Sequence, residues 1–142
     1  MNAARLRWED IKLNDVFTFS RQITGADAQA FAQLSGDFNP LHVDASFGVQ
    51  SKFGRNVVHG MMVSSLFSQL VGMHCPGENS LYVSQTLNFR KPTFYDDTLT
   101  VKGTVIDKRD SLRLVTLKTE IVRGDEVLIF GEAKVMVLEG SV

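Results

Sequence analysis

A carboxylate and an imidazole lie five positions apart in the chain, at Asp37 and His42. Two such groups that reach the same water molecule can take a proton from it and return a proton to a nearby carbon, which is the pairing that general acid and base catalysis requires. This chemistry needs no metal ion. The pair therefore indicates a proton-transfer site, provided that the backbone brings both side chains to one point.

Pro40 lies between the two residues and constrains the backbone. Proline has no amide hydrogen, fixes its own φ angle and disfavours the α conformation of Asn39. We therefore predict a rigid, non-helical loop over residues 36–42, in which Asp37 and His42 point at one shared spot. A purely structural interpretation is also open, because Asp37 and Asn39 belong to residue types that form turns by bonding to their own backbone.

The surrounding sequence favours the catalytic interpretation. Residues 31–42 read Phe-Ala-Gln-Leu-Ser-Gly-Asp-Phe-Asn-Pro-Leu-His, and the pattern continues through residues 58–61 (Val-His-Gly-Met), Tyr82 and Asp97. This set resembles the signature of the MaoC-like (R)-specific enoyl-CoA hydratases, also called hydratase 2. The resemblance covers most of the chain. It departs from the signature at Gly48, where alanine or serine is usual.

The resemblance implies roles for individual residues. Asp37 and His42 would be the catalytic pair, Asn39 and Ser68 would be auxiliary, and the backbone amide of Gly60 would hold the thioester oxygen. Elementary chemistry supports the last role, because the start of a helix offers free amides and a glycine lets a ligand approach them closely. A glycine here is equally compatible with close packing between helix and sheet.

Other polar residues follow in the same segment. His59 directly precedes Gly60, and is either a direct participant or an orienting or capping residue. Ser64 and Ser65 are expected to bond back to a carbonyl one turn earlier. Residues 60–73 contain no Asp, Glu or His. The acidic residue that hotdog thioesterases and some acyl-carrier-protein dehydratases carry on their central helix is therefore missing.

Basic residues near these segments are candidates for binding the phosphates of coenzyme A. They are Lys52, Arg55, Arg90 and Lys91. The alternative for each is a solvated surface charge.

Hydrophobic periodicity predicts the elements that carry these residues. A strand over residues 16–23 precedes a helix that Thr24 caps, with Asp27 at its third position, and that ends near Ser35. A helix over residues 61–73 has large apolar residues on all sides, which is typical of a buried helix. Alternation then predicts strands, over residues 81–90, 98–107, 111–123 and 126–138.

This order of elements is α+β, and we expect a single domain over residues 1–142. The resemblance implies the hotdog fold, in which an antiparallel β-sheet wraps around a long central helix. A sheet of this kind leaves edges that a second copy would cover, so we expect a homodimer. Bulky residues of the central helix, such as Leu66 and Leu70, are expected to form the floor of an acyl tunnel.

Composition argues against several other classes of protein. The chain has 15 basic and 16 acidic residues, so it has no net field that would attract nucleic acid. It has one cysteine, Cys75, and three histidines without zinc-type spacing, so we expect no disulfide, no metal and no cofactor. No apolar run is long enough to span a bilayer, and residues 1–10 do not read as a signal peptide; we therefore expect a cytoplasmic protein without membrane contact.

The activity that the resemblance implies is the reversible, (R)-specific hydration of a trans-2-enoyl-CoA, with the CoA thioester as substrate. Two alternatives remain open. One is a dehydratase that acts on 3-hydroxyacyl groups carried by acyl-carrier protein, and the other is a non-catalytic subunit that binds acyl thioesters. The presence of both Asp37 and His42 argues against the second alternative.

Overall fold

The computed structural model describes residues 1–139, which form one sheet packed on a set of short helices. The strands are β1 (Val16–Arg21), β2 (Ser80–Gln85), β3 (Asn88–Phe89), β4 (Leu99–Arg109), β5 (Leu114–Arg123) and β6 (Glu126–Val137). The helices are α1 (Gly25–Ser35), α2 (Pro40–Val43), α3 (Ala45–Gln50), α4 (Gly60–Ser64) and α5 (Leu66–Gln69). A π-helical turn covers Leu70–His74, and 3-10 turns cover Trp8–Asp10 and Asp110–Leu112.

All strand pairs are antiparallel, and the order across the sheet is β1-β4-β5-β6-β2, with β3 also paired to β6. The predicted α+β order is therefore confirmed. The boundaries of β4 differ slightly from the prediction, because β4 runs on to Arg109 and the turn to β5 is the 3-10 turn that follows it. Strands β5 and β6 are joined by a turn at Gly124, whose φ angle is 58°.

The capping of α1 agrees with the prediction from sequence. The Oγ1 atom of Thr24 accepts a hydrogen bond from the amide of Asp27 at 3.2 Å, and the Asp27 carboxylate accepts one from the amide of Thr24 at 2.9 Å. The helix ends at Gly36, which has a φ angle of 78°, a conformation that glycine adopts without a steric penalty. Ala28 and Ala32 are its buried residues.

The central helical segment, residues 60–74, consists of α4, α5 and the π-helical turn in succession. Its buried residues, among them Val63, Phe67 and Leu70, share one core cluster with Val101 and Ile121 of the sheet. Packing there is close enough that a Cβ atom on Gly103 would lie 2.8 Å from Leu70 Cδ2. The prediction of burial on all sides is wrong for one face, because Met61 is 59% exposed and Ser65 and Ser68, four and seven positions later, are exposed as well.

The prediction of a non-helical loop over residues 36–42 is wrong in its second half. Pro40 begins the short helix α2, which contains His42, and Asn39 is its N-cap with a side-chain oxygen that accepts from the amide of Leu41 at 3.0 Å. Proline is favourable at the first position of a helix, where its missing amide hydrogen has no acceptor to lose. The backbone constraint is thus real, but it starts a helical turn rather than preventing one.

Strand β2 is one edge of the sheet and does not show the predicted alternation. A bulge interrupts its pairing with β6 between Tyr82 and Ser84, and residues 81–84 are all exposed. Three of them, Leu81, Tyr82 and Val83, are large and apolar or aromatic. Beyond the sheet, none of the helices within residues 1–139 is both long enough and apolar enough to cross a membrane.

Candidate active site

Asp37 and His42 face each other across a short gap. Oδ2 of Asp37 lies 4.0 Å from Nε2 of His42, and the side chains are 47% and 16% exposed. The other carboxylate oxygen, Oδ1, accepts a hydrogen bond from the amide of Asn39 at 3.1 Å. The structural interpretation of Asp37 as a turn residue is therefore correct for one oxygen, while the second oxygen remains directed at the imidazole.

Two residues distant in sequence hold His42, one through its ring and one through its backbone. Nδ1 of His42 lies 2.7 Å from the carbonyl oxygen of Val57. A carbonyl can only accept, so Nδ1 carries a hydrogen and, in the neutral ring, Nε2 has the free lone pair. The hydroxyl of Tyr95 donates to the carbonyl of His42 at 3.0 Å. The basic atom of the imidazole is thereby aimed at Asp37.

Asn56 holds the helix that carries His42. Its Nδ2 atom donates to the carbonyls of Leu41 and Asp44, each at 2.8 Å. Gly48 packs against the same residue: a Cβ atom at this position would lie 2.6 Å from the Asn56 amide nitrogen and 2.7 Å from Nδ2. The departure from the signature at Gly48 therefore has a local reason, because a larger residue would collide with Asn56.

His59 contacts both members of the pair. Its Nε2 atom lies 3.0 Å from the backbone carbonyl of Asp37, and its ring stacks on that of His42 with centroids 4.1 Å apart. The ring of Phe31 packs edge-on against it at 4.9 Å. His59 is 1% exposed. His59 thus contacts the backbone of Asp37 and the ring of His42 at the same time.

A cavity of about 310 Å³ opens beside His42, and Gly60 forms part of its wall. Gly60 is the first residue of α4, so its amide has no acceptor within that helix. The ring of Phe89 lies over it, since a Cβ atom on Gly60 would be 3.0 Å from two ring carbons. The absence of a side chain thus leaves room for Phe89, and both residues line the cavity together with Phe53 and Ile129.

The four basic candidates differ in their surroundings. Arg90 and Lys91 line the cavity, whereas Lys52 lies over the ring of Phe53 and Arg55 stacks on Phe94 at 3.7 Å. Lys91 is already paired, with Nζ 2.5 Å from Oε2 of Glu126. Within residues 1–139, no carboxylate forms an ion pair with Arg90.

Ion pairs formed by Arg123 hold the loop next to Lys91 in place. Arg123 donates to the carboxylate of Asp97 at 2.7 Å and to the carbonyl of Pro92 at 3.2 Å. Its hydrogen bond to Asp97 raises the pKa of Arg123 above the ordinary value. The hydrogen bonds from Lys91 and then Arg123 lower the pKa of the Glu126 carboxyl. This wall of the cavity is therefore held by paired charges.

The serines of the central helical segment are not among the residues that line the cavity. Ser64 and Ser65 donate to the carbonyls of Met61 and Met62, at 2.8 and 2.5 Å, as expected. Ser68 is exposed and is not among the residues that line the cavity, so its auxiliary role stays a prediction. Sequence reasoning did not find Asn56 or Tyr95, whose contacts join residues far apart in the chain.

Asp37, His42 and His59 are also grouped closely enough to be considered as metal ligands. Nδ1 of His42 and Nε2 of His59 each carry a hydrogen that is bonded to a backbone carbonyl. In the neutral rings this leaves the lone pairs on Nε2 of His42 and Nδ1 of His59. The absence of a metal stays a prediction.

Comparison with known proteins adds to this geometry. The family described as "MaoC like domain" matches residues 12–125. The chain belongs to the MaoC-like family. Within that family, the (R)-specific enoyl-CoA hydratase of Aeromonas caviae is 38% identical over 128 residues, which cover 89% of this chain and 96% of that protein. A mitochondrial 3-hydroxyacyl-[acyl-carrier-protein] dehydratase of Arabidopsis thaliana is 34% identical, over 87% of this chain and 75% of that protein.

A solved MaoC-like structure supports the same conclusion for the fold. The unliganded R-hydratase of Pseudomonas aeruginosa superposes with a TM-score of 0.92 at 28% identity, covering 96% of this chain and 88% of that one. This similarity confirms the hotdog fold that the sequence resemblance implied.

Proposed function

We propose that this MaoC-like protein catalyses the reversible hydration of trans-2-enoyl-CoA to (R)-3-hydroxyacyl-CoA. The observation that carries the proposal is the placement of Asp37 Oδ2 and His42 Nε2, 4.0 Å apart, with His42 and Gly60 on the wall of one cavity. Two proton carriers and a helix-start amide are the groups that this reaction requires.

The geometry suits a water molecule held between the two carriers. A water about 2.8 Å from each atom makes a normal hydrogen bond to both, and two atoms 4.0 Å apart allow this. The water oxygen forms a bond to the β-carbon, and its proton passes to the pair formed by Asp37 and His42. The π electrons of the Cα–Cβ bond move towards the thioester carbonyl, and a proton from the pair then completes the α-carbon.

The negative charge that develops on the thioester oxygen needs a donor. The amide of Gly60 is free of any intrahelical acceptor and stands at the positive end of the helical segment that follows. A preorganised amide of this kind stabilises an oxyanion more than it stabilises the neutral carbonyl. The site thus divides the work between a proton-carrying pair and one backbone donor.

Arg90 is the main candidate for binding the CoA moiety. It lines the cavity and is free of ion pairs within the described chain, whereas Glu126 neutralises Lys91. Arg55 and Lys52, both exposed and held over aromatic rings, extend the basic surface.

The second candidate is a 3-hydroxyacyl-[acyl-carrier-protein] dehydratase. The named Arabidopsis relative favours it, and the same pair of residues can remove water from a 3-hydroxyacyl thioester because one site catalyses both directions. A non-catalytic thioester-binding subunit would have no need of Asp37 and His42 facing each other.

The deciding experiment measures initial rates on matched substrates. Purified protein is supplied with trans-2-enoyl-CoA thioesters of four to twelve carbons and with one enoyl thioester of acyl-carrier protein, and the loss of the conjugated double bond is followed. We expect hydration of the CoA series and the (R) alcohol on chiral analysis. The (S) alcohol, or no turnover of any CoA thioester, would exclude the proposal, and turnover of the carrier-protein substrate alone would select the second candidate.

We also propose a homodimer that forms along β2. This strand pairs with β6 on one side only, and its exposed Leu81, Tyr82 and Val83 give it an apolar edge. An unpaired apolar edge strand is a surface that proteins usually cover. Sedimentation should give about twice the chain mass of 15.8 kDa. The cytoplasmic location stays a prediction.

A further inference from the structure

His59 is buried at the junction of three parts of the proposed site. It lies two residues after Val57, which forms an isolated β-bridge with Phe94, it directly precedes Gly60, and its side chain contacts Asp37 and His42. At 1% exposure, its ring is closed off from solvent within the described chain.

The hydrogen bond of His59 defines which ring nitrogen carries a hydrogen. Nε2 lies 3.0 Å from the carbonyl oxygen of Asp37, and a carbonyl can only accept, so Nε2 is the donor. Nδ1 is buried and has no hydrogen-bond partner among residues 1–139. A hydrogen on Nδ1 would be left without an acceptor, which costs free energy in a buried site. The contacts therefore fit a ring with its hydrogen on Nε2.

The stacking contact adds a second constraint. The rings of His59 and His42 are 4.1 Å apart between centroids and 30° from parallel, and the ring of Phe31 also contacts His59, at 64° to its plane. A ring held in this way limits the sideways motion of the His42 imidazole. His59 is therefore one fixed group that contacts both the main chain of Asp37 and the ring of His42.

We propose that His59 is a positioning residue that sets the separation of Asp37 and His42 and their distance from Gly60, by donating from Nε2 to the Asp37 carbonyl and by stacking on His42. This inference rests on the proposed function, because it assigns His59 to the same reaction. His59 itself touches no reacting atom in this assignment.

Two substitutions separate the two contacts. His59→Phe keeps a flat ring for stacking and loses the donor, and His59→Gln keeps an amide donor and loses the ring. The matched control is His74→Phe, because His74 also stacks on an aromatic ring, Phe19 at 5.0 Å, and also has a buried ring nitrogen without a partner, Nε2. His74 lies at the other end of the central helical segment, away from the cavity lining.

We expect His59→Phe to lower kcat on a short enoyl-CoA by about ten- to a hundredfold with KM changed less than about threefold, because misplacement of catalytic groups acts on the transition state. His59→Gln should recover part of the loss, and His74→Phe should keep the wild-type kcat. Wild-type kcat in a folded His59→Phe variant would overturn the proposal, as would an equal loss in His74→Phe.

A spectroscopic measurement on the wild-type protein tests the proposal without measuring turnover. Nitrogen-15 NMR of the histidine rings should show the hydrogen of His59 on Nε2, and a ring with its hydrogen on Nδ1 would overturn the proposal even if His59→Phe does not fold. The Asp37→Asn variant distinguishes a failure of the proposed function from a failure of the role of His59 alone. If it is fully active, the proposed function of the pair fails whatever the His59 ring shows; if it is inactive and His59→Phe is not impaired, only the role of His59 fails.

Discussion

The imidazole of His42 donates from Nδ1 to the carbonyl of Val57 at 2.7 Å, which leaves Nε2 to face Asp37 across 4.0 Å. This relationship converts a pair of residue types in the sequence into a defined chemical arrangement. It assigns the tautomer, the direction of the free lone pair and the position from which a water molecule can donate one hydrogen bond to Asp37 and one to His42.

The first prediction concerns this pair. Asp37→Asn keeps the size of the side chain and removes the carboxylate, and His42→Ala removes the other proton carrier, so each should lower kcat by a factor on the order of 10² to 10⁴. Initial rates on crotonyl-CoA measure the loss, and circular dichroism checks that the fold is retained. Near wild-type turnover in either folded variant would contradict the assignment.

The second prediction concerns the contact between Gly48 and Asn56. Gly48→Ala places a Cβ atom 2.6 Å from the Asn56 amide nitrogen, so the backbone must shift, and we expect a loss of about 1–3 kcal/mol in the free energy of unfolding. Gly72→Ala is the matched control, because nothing lies within 4 Å of its added Cβ atom. Urea unfolding of both variants tests the difference, and an unchanged Gly48→Ala midpoint would show that the contact is not tight.

A third prediction separates core from cavity wall. Leu70 is fully buried against Gly103 and does not line the cavity, so Leu70→Ala should cost about 2–5 kcal/mol of stability without changing the preference for acyl chain length. Ile129 does line the cavity, and Ile129→Ala should raise activity on eight-carbon relative to four-carbon substrates. The ratio of kcat/KM values for the two substrates is the measurement. If only Leu70→Ala changed this ratio, the acyl tunnel would lie along the central helical segment, as the sequence predicts.

Charge recognition gives a fourth prediction. Arg90→Gln should raise KM for crotonyl-CoA by several-fold, while Lys91→Gln should have a smaller effect because Glu126 already holds Lys91 at 2.5 Å. A crotonyl thioester of N-acetylcysteamine, which has no phosphates, serves as control and should be turned over equally by both variants and the wild type. An Arg90→Gln defect of the same size on that short thioester would mean that Arg90 acts on the acyl end instead.

The fifth prediction tests the edge strand. Val83→Lys places a charge on the apolar edge of β2 and should shift the sedimenting species from dimer to monomer. Leu112→Lys is the comparison, since Leu112 is 51% exposed and Val83 54%, but Leu112 lies in the 3-10 turn before β5. Equal dimerisation of both variants would place the interface elsewhere.

Local features of the structure could be predicted because they depend on neighbouring residues. The capping box of Thr24 and Asp27 and the back-bonded hydroxyls of Ser64 and Ser65 each involve positions three apart. The start of α2 at Pro40 is equally local, but the prediction is wrong there because proline, which breaks a helix in its interior, is favourable at the first helical position that Pro40 occupies.

The support of the site could not be predicted in the same way. Asn56 and Val57 contact the helix of His42 across 12 to 16 positions, and Tyr95 does so across 53. Such contacts have no periodicity or spacing in the sequence, because they arise only when the sheet and the helices pack together. The alternation predicted for β2 is absent for a similar reason, because tertiary structure determines both the bulge in this strand and its position at the sheet edge.

The homodimer proposed along β2 would also make the stability of this protein a function of its concentration. Association along Leu81, Tyr82 and Val83 would favour the folded chain by mass action, so the apparent unfolding temperature should rise with the amount of protein and fall on dilution. Activity lost at nanomolar concentration and regained on concentrating the sample would then reflect dissociation rather than chemical damage.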